Sequence, residues 1–358
     1  MSEEQAAAGA SEEVAAEVAG EPGGAETGDA AAGGTETGGA AAPKSRKRRA
    51  ILAGVLGVII VIAVLMLLKG CGEDTPDVVK AVAVGDMVCD PSDPGVGSAD
   101  ECKAQEVSDV AVALAPDAFL GLGDYVYEIP KTDTYNEVYA PSWGRLRDIT
   151  LPALGNQEYK VHEANTFRTY FGERAGPEQG YWSTEFGRWH VVVLNSNCTV
   201  VIGGCKQDSP QQKWLAEDLA NNSAKCTVVL MHHPRWSTGL GGPDGRLDDL
   251  FATMVDNKVE LVLSSHEAHY ERFGTLDAAG AASPTGTRQF VVGTGGQVVY
   301  EPGEGDAPWR NKGNMVASEF RDFTDHGVLE LTLRPDDYSW RFLGLESQVI
   351  DSGDGKCN

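Results

Sequence analysis

Ala81-Val-Ala-Val-Gly-Asp86 decides how the rest of the chain is read. Four small apolar residues are too few for a helix and suit a buried strand, and the run stops in Gly-Asp. The same grammar returns four times. Phe119-Leu-Gly-Leu-Gly-Asp124 leads to Tyr127, and Leu151-Pro-Ala-Leu-Gly-Asn156 leads to Gln157 and Glu158. Val228-Val-Leu-Met231 runs into His232 and His233, and Leu261-Val-Leu-Ser-Ser265 runs into His266 and His269. Every run ends in an oxygen or nitrogen donor. Ligands of α/β sheets gather beyond the carboxyl ends of strands, so five such ends predict one metal site assembled across the domain.

The stretches between the runs complete an α/β pattern. Helical periodicity covers 101–115 and returns around 133–148, giving strand, helix, strand, helix, strand and hence a parallel sheet with right-handed crossovers. The second half starts with an alternating strand at 181–186 and another at 189–195. A helix at 210–221 follows, with Ser209 as its N-cap, then strands at 226–231 and 259–264 around a helix near 246–256. Strands at 289–293, 327–333 and 338–342 close the chain, and Gly293-Thr-Gly-Gly296 reads as a tight turn. The two halves suit two packed mixed sheets with helices outside.

Ahead of this domain the composition changes. Residues 1–43 hold nine acidic residues and no aromatic one, too little apolar surface to offset the entropy of ordering, so 1–50 is expected to be a disordered tail ending in a basic cluster. Ile51 to Leu68 is eighteen residues without a charge, about 27 Å as a helix and close to a bilayer core. Lys44-Ser-Arg-Lys-Arg-Arg49 lies on its N-terminal side. The positive-inside rule then predicts a single-pass anchor in the cell membrane, with the N-terminus cytoplasmic and the main domain extracytoplasmic. A cleaved signal peptide is the rival reading, and Leu68-Lys-Gly-Cys71 only faintly resembles a lipidation site. Residues 69–79 read as a linker and 80–358 as the domain.

Residues 69–358 carry 44 acidic against 24 basic residues. So acidic a surface argues against nucleic acid as a partner, which would need Lys and Arg to displace phosphate counterions. Six cysteines lie in the domain, and an even number in an exported domain suggests disulfides. Cys89 with Cys102 and Cys198 with Cys205 are near in sequence; Cys226 and Cys357 remain to tie the C-terminus to a central strand. No Cys-x-x-Cys occurs, which disfavours cysteine as a metal ligand.

In order, Gly-Asp, Gly-Asp-x-x-Tyr, Gly-Asn, Met-His-His-Pro and Ser-His before Tyr270-Glu-Arg272 resemble the calcineurin-like metallophosphoesterase superfamily, nearest its purple acid phosphatase-like bacterial branch. The resemblance covers roughly 80–345. It implies an α/β fold of the four-layer α/β/β/α type, two mixed sheets sandwiched between helices. It implies Asp86, Asp124 and Tyr127 on one metal and Asp124, Asn156, His232 and His266 on a second. The metals would be a divalent or mixed-valence pair of Fe, Zn or Mn, or one metal only, and the substrate a phosphate ester attacked by metal-activated hydroxide. A phenolate at Tyr127 would favour Fe(III).

Two positions depart from that pattern. Gln157 stands where a His should follow the Asn, and Gln cannot transfer a proton. Ala268 stands where the second His of Gly-His-x-His belongs; His269 is one residue later, and Glu267 offers an oxygen. His233 and Gln157 are therefore the candidate catalytic side chains, with His162 a distant substitute, and His269 the candidate replacement ligand. The expected function is a membrane-anchored phosphoesterase with activity reduced by Gln157 and Ala268. The alternative is a catalytically degenerate binding module at the cell surface. His190 and His326 read as structural.

Overall fold

The computed structural model describes residues 77–89, 102–127, 129–302 and 316–358. The expected tail, the apolar stretch 51–68 and most of the linker lie outside the described residues. Among the described residues no helix is long and apolar enough to cross a membrane.

In chain order the elements are β1 (Val79–Val84), α1 (Ala104–Ala113), β2 (Ala118–Gly121), β3 (Thr150–Pro152), α2 (Asn165–Phe171), β4 (Trp182–Phe186), β5 (Trp189–Val193), α3 (Pro210–Asn221), β6 (Cys226–Leu230), α4 (Asp248–Asp256), β7 (Leu261–Ser264), β8 (Tyr270–Leu276), β9 (Thr287–Val292), β10 (Ser318–Asp322), β11 (Gly327–Leu333), β12 (Asp337–Gly344) and β13 (Val349–Lys356). They form two mixed sheets. One runs β13-β12-β11-β1-β2-β3, the other β10-β8-β9-β7-β6-β5-β4. In the first, β1, β2 and β3 are parallel and β11 pairs antiparallel with β1. In the second, β5, β6, β7 and β9 are parallel, and β4, β8 and β10 are antiparallel additions.

Period-two alternation explains the layering. Along β6, Val228 and Leu230 join the core that also holds Val82, Leu329 and Phe342 of the first sheet. Val229 and Met231 point the other way, onto Leu215 of α3 and Leu250, Phe251 and Met254 of α4. The central strands are apolar on both faces because both faces are covered. Each such Val or Leu contributes about 1.5–3 kcal/mol by leaving water. On the first sheet, α1 packs against β11 and β12. Ser209 caps α3, its hydroxyl accepting from the amide of Gln212.

The expected helix over 133–148 does not form as one piece. Thr132–Thr134 begins a turn that widens into a π-turn at Tyr135–Tyr139, and Trp143–Ile149 continues as a 3-10 helix. Pro141 has no N–H to give and breaks the ladder between them. Three bridges link Cys89 to Cys102, Cys198 to Cys205 and Cys226 to Cys357.

Candidate metal centre

Each donor sits just past the carboxyl end of a parallel strand: Asp86 after β1, Asp124 after β2, Asn156 after β3, His232 after β6 and His266 after β7. The two sheets meet at this rim. The amide of Gly85 donates to the carbonyl of Val292 (2.9 Å), and Ser265 Oγ donates to the carbonyl of Leu122 (2.7 Å). Asp86, Asp124 and His266 all hold φ between 51° and 69°, a left-handed conformation that costs a non-glycine residue roughly 1 kcal/mol or more and collects at functional sites. The glycines of the repeated motif are there because the strand ends nearly touch. A Cβ on Gly123 would lie 2.7 Å from the amide of Gly155 and 2.8 Å from His232 Nδ1, and one on Gly155 would collide with Asp124.

Six of the seven expected ligands are contiguous. Tyr127 Oη lies between the carboxylates, 2.8 Å from Asp124 Oδ2 and in contact with Asp86 Oδ1. His232 Nε2 is 3.3 Å from Asp124 Oδ2, 3.0 Å from Asn156 Oδ1 and 3.1 Å from His266 Nδ1. His232 Nδ1 meets the carbonyl of Leu122 at 2.9 Å. That bond places a ring proton on Nδ1 and aims Nε2 at three other acceptors. Acceptors so converged need a positive charge among them, and the set of carboxylate, amide, phenol and imidazole donors fits a first-row metal ion.

The electrostatics agree. Burial opposes charge on His232, but Asp124 and Asp86 outweigh it and hold the imidazole up to about 9. Burial lifts Asp86 to about 6, with His232 opposing and Asp124 adding. Burial, then the charge on His232, depresses His266 to about 4. Burial and the two carboxylates push the Tyr127 phenol well above its ordinary range.

His269 is the seventh expected ligand, and the structure does not bring it to the cluster. Its ring is fully buried and stacks on Phe323 (4.4 Å), and Nε2 meets Glu271 Oε2 at 3.1 Å. The one-residue shift starts β8 immediately afterwards, and strand pleating sends the side chain to its own carboxylate partner. Glu267 is also turned away, accepting from the amide of Gly241 (2.9 Å). Ala268 adds no imidazole at the Asp86 and Tyr127 end, where His232 is the ring grouped with Asp86 and Asp124, their ligand atoms within 4.8 Å of one another.

Of the two catalytic candidates, His233 lines a cavity of about 190 Å³ with His266, Asp244, Arg246 and Glu267. Ser196 Oγ accepts from its amide (2.8 Å) and lies 3.0 Å from Nδ1. The hydroxyl proton can then go to Nδ1, which leaves the ring proton on Nε2. Gln157 is buried beside the cluster, its backbone N–H donating to Asp124 Oδ1 (2.8 Å) and its side-chain Oε1 without a partner among the described residues. His162 is exposed on the surface. His190 is locked between Glu185 and Asp218, and His326 meets the carbonyl of Gln297.

Sequence reading gave no role to Glu158. Its fully buried carboxylate accepts from the amides of Gly155 (2.8 Å), Asp124 (3.0 Å) and Tyr125 (3.0 Å). It thereby sets the loops of Asn156 and Asp124 against each other. Burial, then repulsion from Asp124, pushes it up to about 7. An acid directly behind an apolar run and Asn-Gln was the available signal. The turn at 293–296 also belongs here. A Cβ on Gly293 would stand 2.8 Å from Asp86 Oδ2, and the amide of Gln297 donates to the carbonyl of Asp86 (3.0 Å).

Comparison with known proteins follows the same lines. An uncharacterized protein of Mycobacterium tuberculosis is 29% identical over 36% of this chain; the chain spans only 28% of that relative's length. Among solved structures, purple acid phosphatase PPD1 of yellow lupin superposes with a TM-score of 0.62 at 19% identity, covering 77% of this chain and 53% of the phosphatase. GAP50, the anchor in the inner membrane complex of Plasmodium, gives 0.53 at 13% identity over 79% of this chain and 90% of its own. PhoD gives 0.51 at 10% identity over 79% and 69%. At these identities the likeness is one of fold. The sequence profile of the calcineurin-like phosphoesterases matches residues 80–270, more than half of the chain, and the chain therefore belongs to the calcineurin-like phosphoesterase family.

Proposed function

We propose that the domain hydrolyses phosphate esters at a metal centre held by Asp86, Asp124, Tyr127, Asn156, His232 and His266. The supporting observation is the crowding of acceptors around His232 Nε2, next to a cavity that His233 lines. Bound cations would supply Lewis-acid activation of water and neutralise charge on the phosphoryl oxygens. Hydrolysis joins a water oxygen to phosphorus and breaks the bond to the leaving oxygen, which must gain a proton. Gln157 can hold a phosphoryl oxygen by hydrogen bond but cannot give that proton. His233 is held neutral by burial and by the neighbouring His232 and His266, so its Nε2–H can also hold a phosphoryl oxygen but gives up no proton, and the leaving oxygen departs largely unprotonated. Glu158 and the left-handed backbone at Asp86, Asp124 and His266 keep the donors in place before substrate arrives.

The family implies a pair of metals. Asn156, His232, His266 and Asp124 form the fuller half, and Asp86, Tyr127 and Asp124 the half to which Ala268 adds no imidazole. We also propose that the domain lies outside the cytoplasm on a single-span anchor at 51–68. Three disulfides favour an oxidising compartment, and the basic cluster at 44–49 favours that orientation. A second reading is a surface binding module that keeps the fold and has lost turnover. Gln157 and Ala268 favour it, as does the fold likeness to a protein described as an anchor.

Turnover of p-nitrophenyl phosphate by protein loaded with Fe, Zn or Mn, alongside elemental analysis, separates the two. Metal-dependent turnover is expected. Bound metal with no turnover under any loading would leave the binding module, and a chain that takes up no metal would overturn both the centre and its chemistry.

A further inference from the structure

We propose that Arg246 is the substrate-phosphate clamp of this centre and makes it selective for phosphate monoesters over diesters. The proposal rests on the hydrolase reading above and adds the residue that recognises the substrate. Arg246 supplies the one guanidinium or ammonium group among the described residues lining the cavity of His233 and His266. The other ionisable neighbours there, Asp244 and Glu267, are acids, in a domain already rich in acid.

The guanidinium is held, not loose. Asp244 accepts from Nε at 2.9 Å through Oδ1 and from Nη2 at 2.7 Å through Oδ2, and also accepts from the backbone amide of Arg246 at 2.9 Å. The turn carrying it is fixed from the other side, where Lys206 Nζ donates to the carbonyl of Gly245 (2.8 Å). Nη1 makes no hydrogen bond to a described residue, and the side chain is half exposed. One edge of the fork is thus occupied by Asp244, which leaves Nη1 of a half-exposed side chain that lines the cavity free to bind. Planar N–H pairs of this kind match phosphoryl oxygens.

A monoester brings a dianion into a cavity with two acidic walls and gains most from this cation. A diester brings a single charge and a second substituent, in a cavity of about 190 Å³, and gains less. Asp244 acts as a positioning residue, through Arg246.

The test uses the metal-loaded full-length chain and the substitutions Arg246→Gln, Arg246→Lys and Asp244→Asn. Three quantities are compared: kcat/KM for p-nitrophenyl phosphate, kcat/KM for bis-p-nitrophenyl phosphate, and binding of inorganic phosphate by calorimetry, with metal content measured in parallel. Arg246→Gln should lower monoester kcat/KM and phosphate affinity about tenfold or more, and diester kcat/KM by a clearly smaller factor, with metal content unchanged. Arg246→Lys, keeping charge but not the fork, should fall between. Asp244→Asn should raise the monoester KM with little effect on kcat. Equal losses on both esters, or unchanged phosphate binding in Arg246→Gln, would overturn the proposal alone. A wild-type protein that binds metal but no phosphate would overturn it together with the hydrolase reading.

Discussion

The backbone amide of His266 donates to Oδ2 of Asp86 over 2.8 Å. Asp86 follows β1 of the first sheet and His266 follows β7 of the second. One side chain thus both faces the cation cage and fastens the two sheets together. The cage closes only when the sheets are packed, so binding a metal and packing the sheets are linked equilibria.

That linkage predicts a metal-dependent melting temperature. A metal present at a hundred times its Kd stabilises by about 2.7 kcal/mol. For a domain of this size that is roughly 5–11 °C. Calorimetry before and after chelation, followed by Zn or Mn add-back, measures it. An unchanged melting temperature in protein proven to bind metal would break the link between cage and packing.

His232 and His269 are both fully buried, yet they should behave differently when removed. His232→Ala takes a donor out of the cage, and metal content should fall by at least one equivalent. His269→Ala leaves Glu271, whose carboxyl burial would raise but hydrogen bonds from His269 and Thr238 hold below its usual range, with a buried charge short of one partner. The cost should be about 2–4 kcal/mol, with metal content intact. Elemental analysis and guanidinium unfolding on the two variants check this. Loss of metal in His269→Ala would place that imidazole in the centre after all.

Why the donors were legible and His269 was not has a physical answer. The strand-end motif is dictated by close approach: Gly123 and Gly155 leave no room for a Cβ, so the spelling Gly-Asp and Gly-Asn is a record of the contact itself. The fate of His269 depends on where β8 begins, and that is decided by pairing with β9 and β10 far along the chain. β13 escaped notice for a related reason. Its Gly353 and Gly355 oppose β-propensity, but in the sheet they lie under the rings of Trp340 and Tyr338, where any Cβ would clash. Glu158 stayed silent because its partners are backbone amides, and its place directly behind Asn156 and Gln157 was the one hint the sequence carried.

Gln157 in place of a proton donor should make the rate depend strongly on the leaving group. Aryl phosphates, whose leaving oxygens need little protonation, should outpace alkyl phosphates. Gln157→His should raise alkyl phosphate turnover toward the roughly 10²–10⁴-fold range of general acid catalysis and change aryl phosphate turnover much less. Steady-state rates for the two ester classes on both proteins measure this. Equal wild-type rates on aryl and alkyl esters would show that another group already protonates the leaving oxygen.

Away from the centre, Asp351 of β13 reaches from the first sheet to the second. It accepts from Arg272 Nε (2.7 Å) and Nη2 (3.0 Å), from the Tyr270 hydroxyl (2.8 Å) and from Trp340 Nε1 (3.2 Å). Burial would raise this carboxyl, but the Arg272 and Tyr270 bonds outweigh it and hold the group below its ordinary 3.8. A carboxyl depressed in the folded state stabilises fully above its unfolded pKa, and that contribution drains away as pH falls through the folded value. Asp351→Ala should therefore cost about 3 kcal/mol near pH 7. The gap between wild type and variant should narrow below about pH 4, as the wild type takes up the proton it excludes at neutrality. Guanidinium unfolding of both proteins at pH 7 and pH 3 measures the two gaps. Equal gaps at the two pH values would mean that Asp351 stabilises by packing alone and that the clasp between the sheets carries no net charge term.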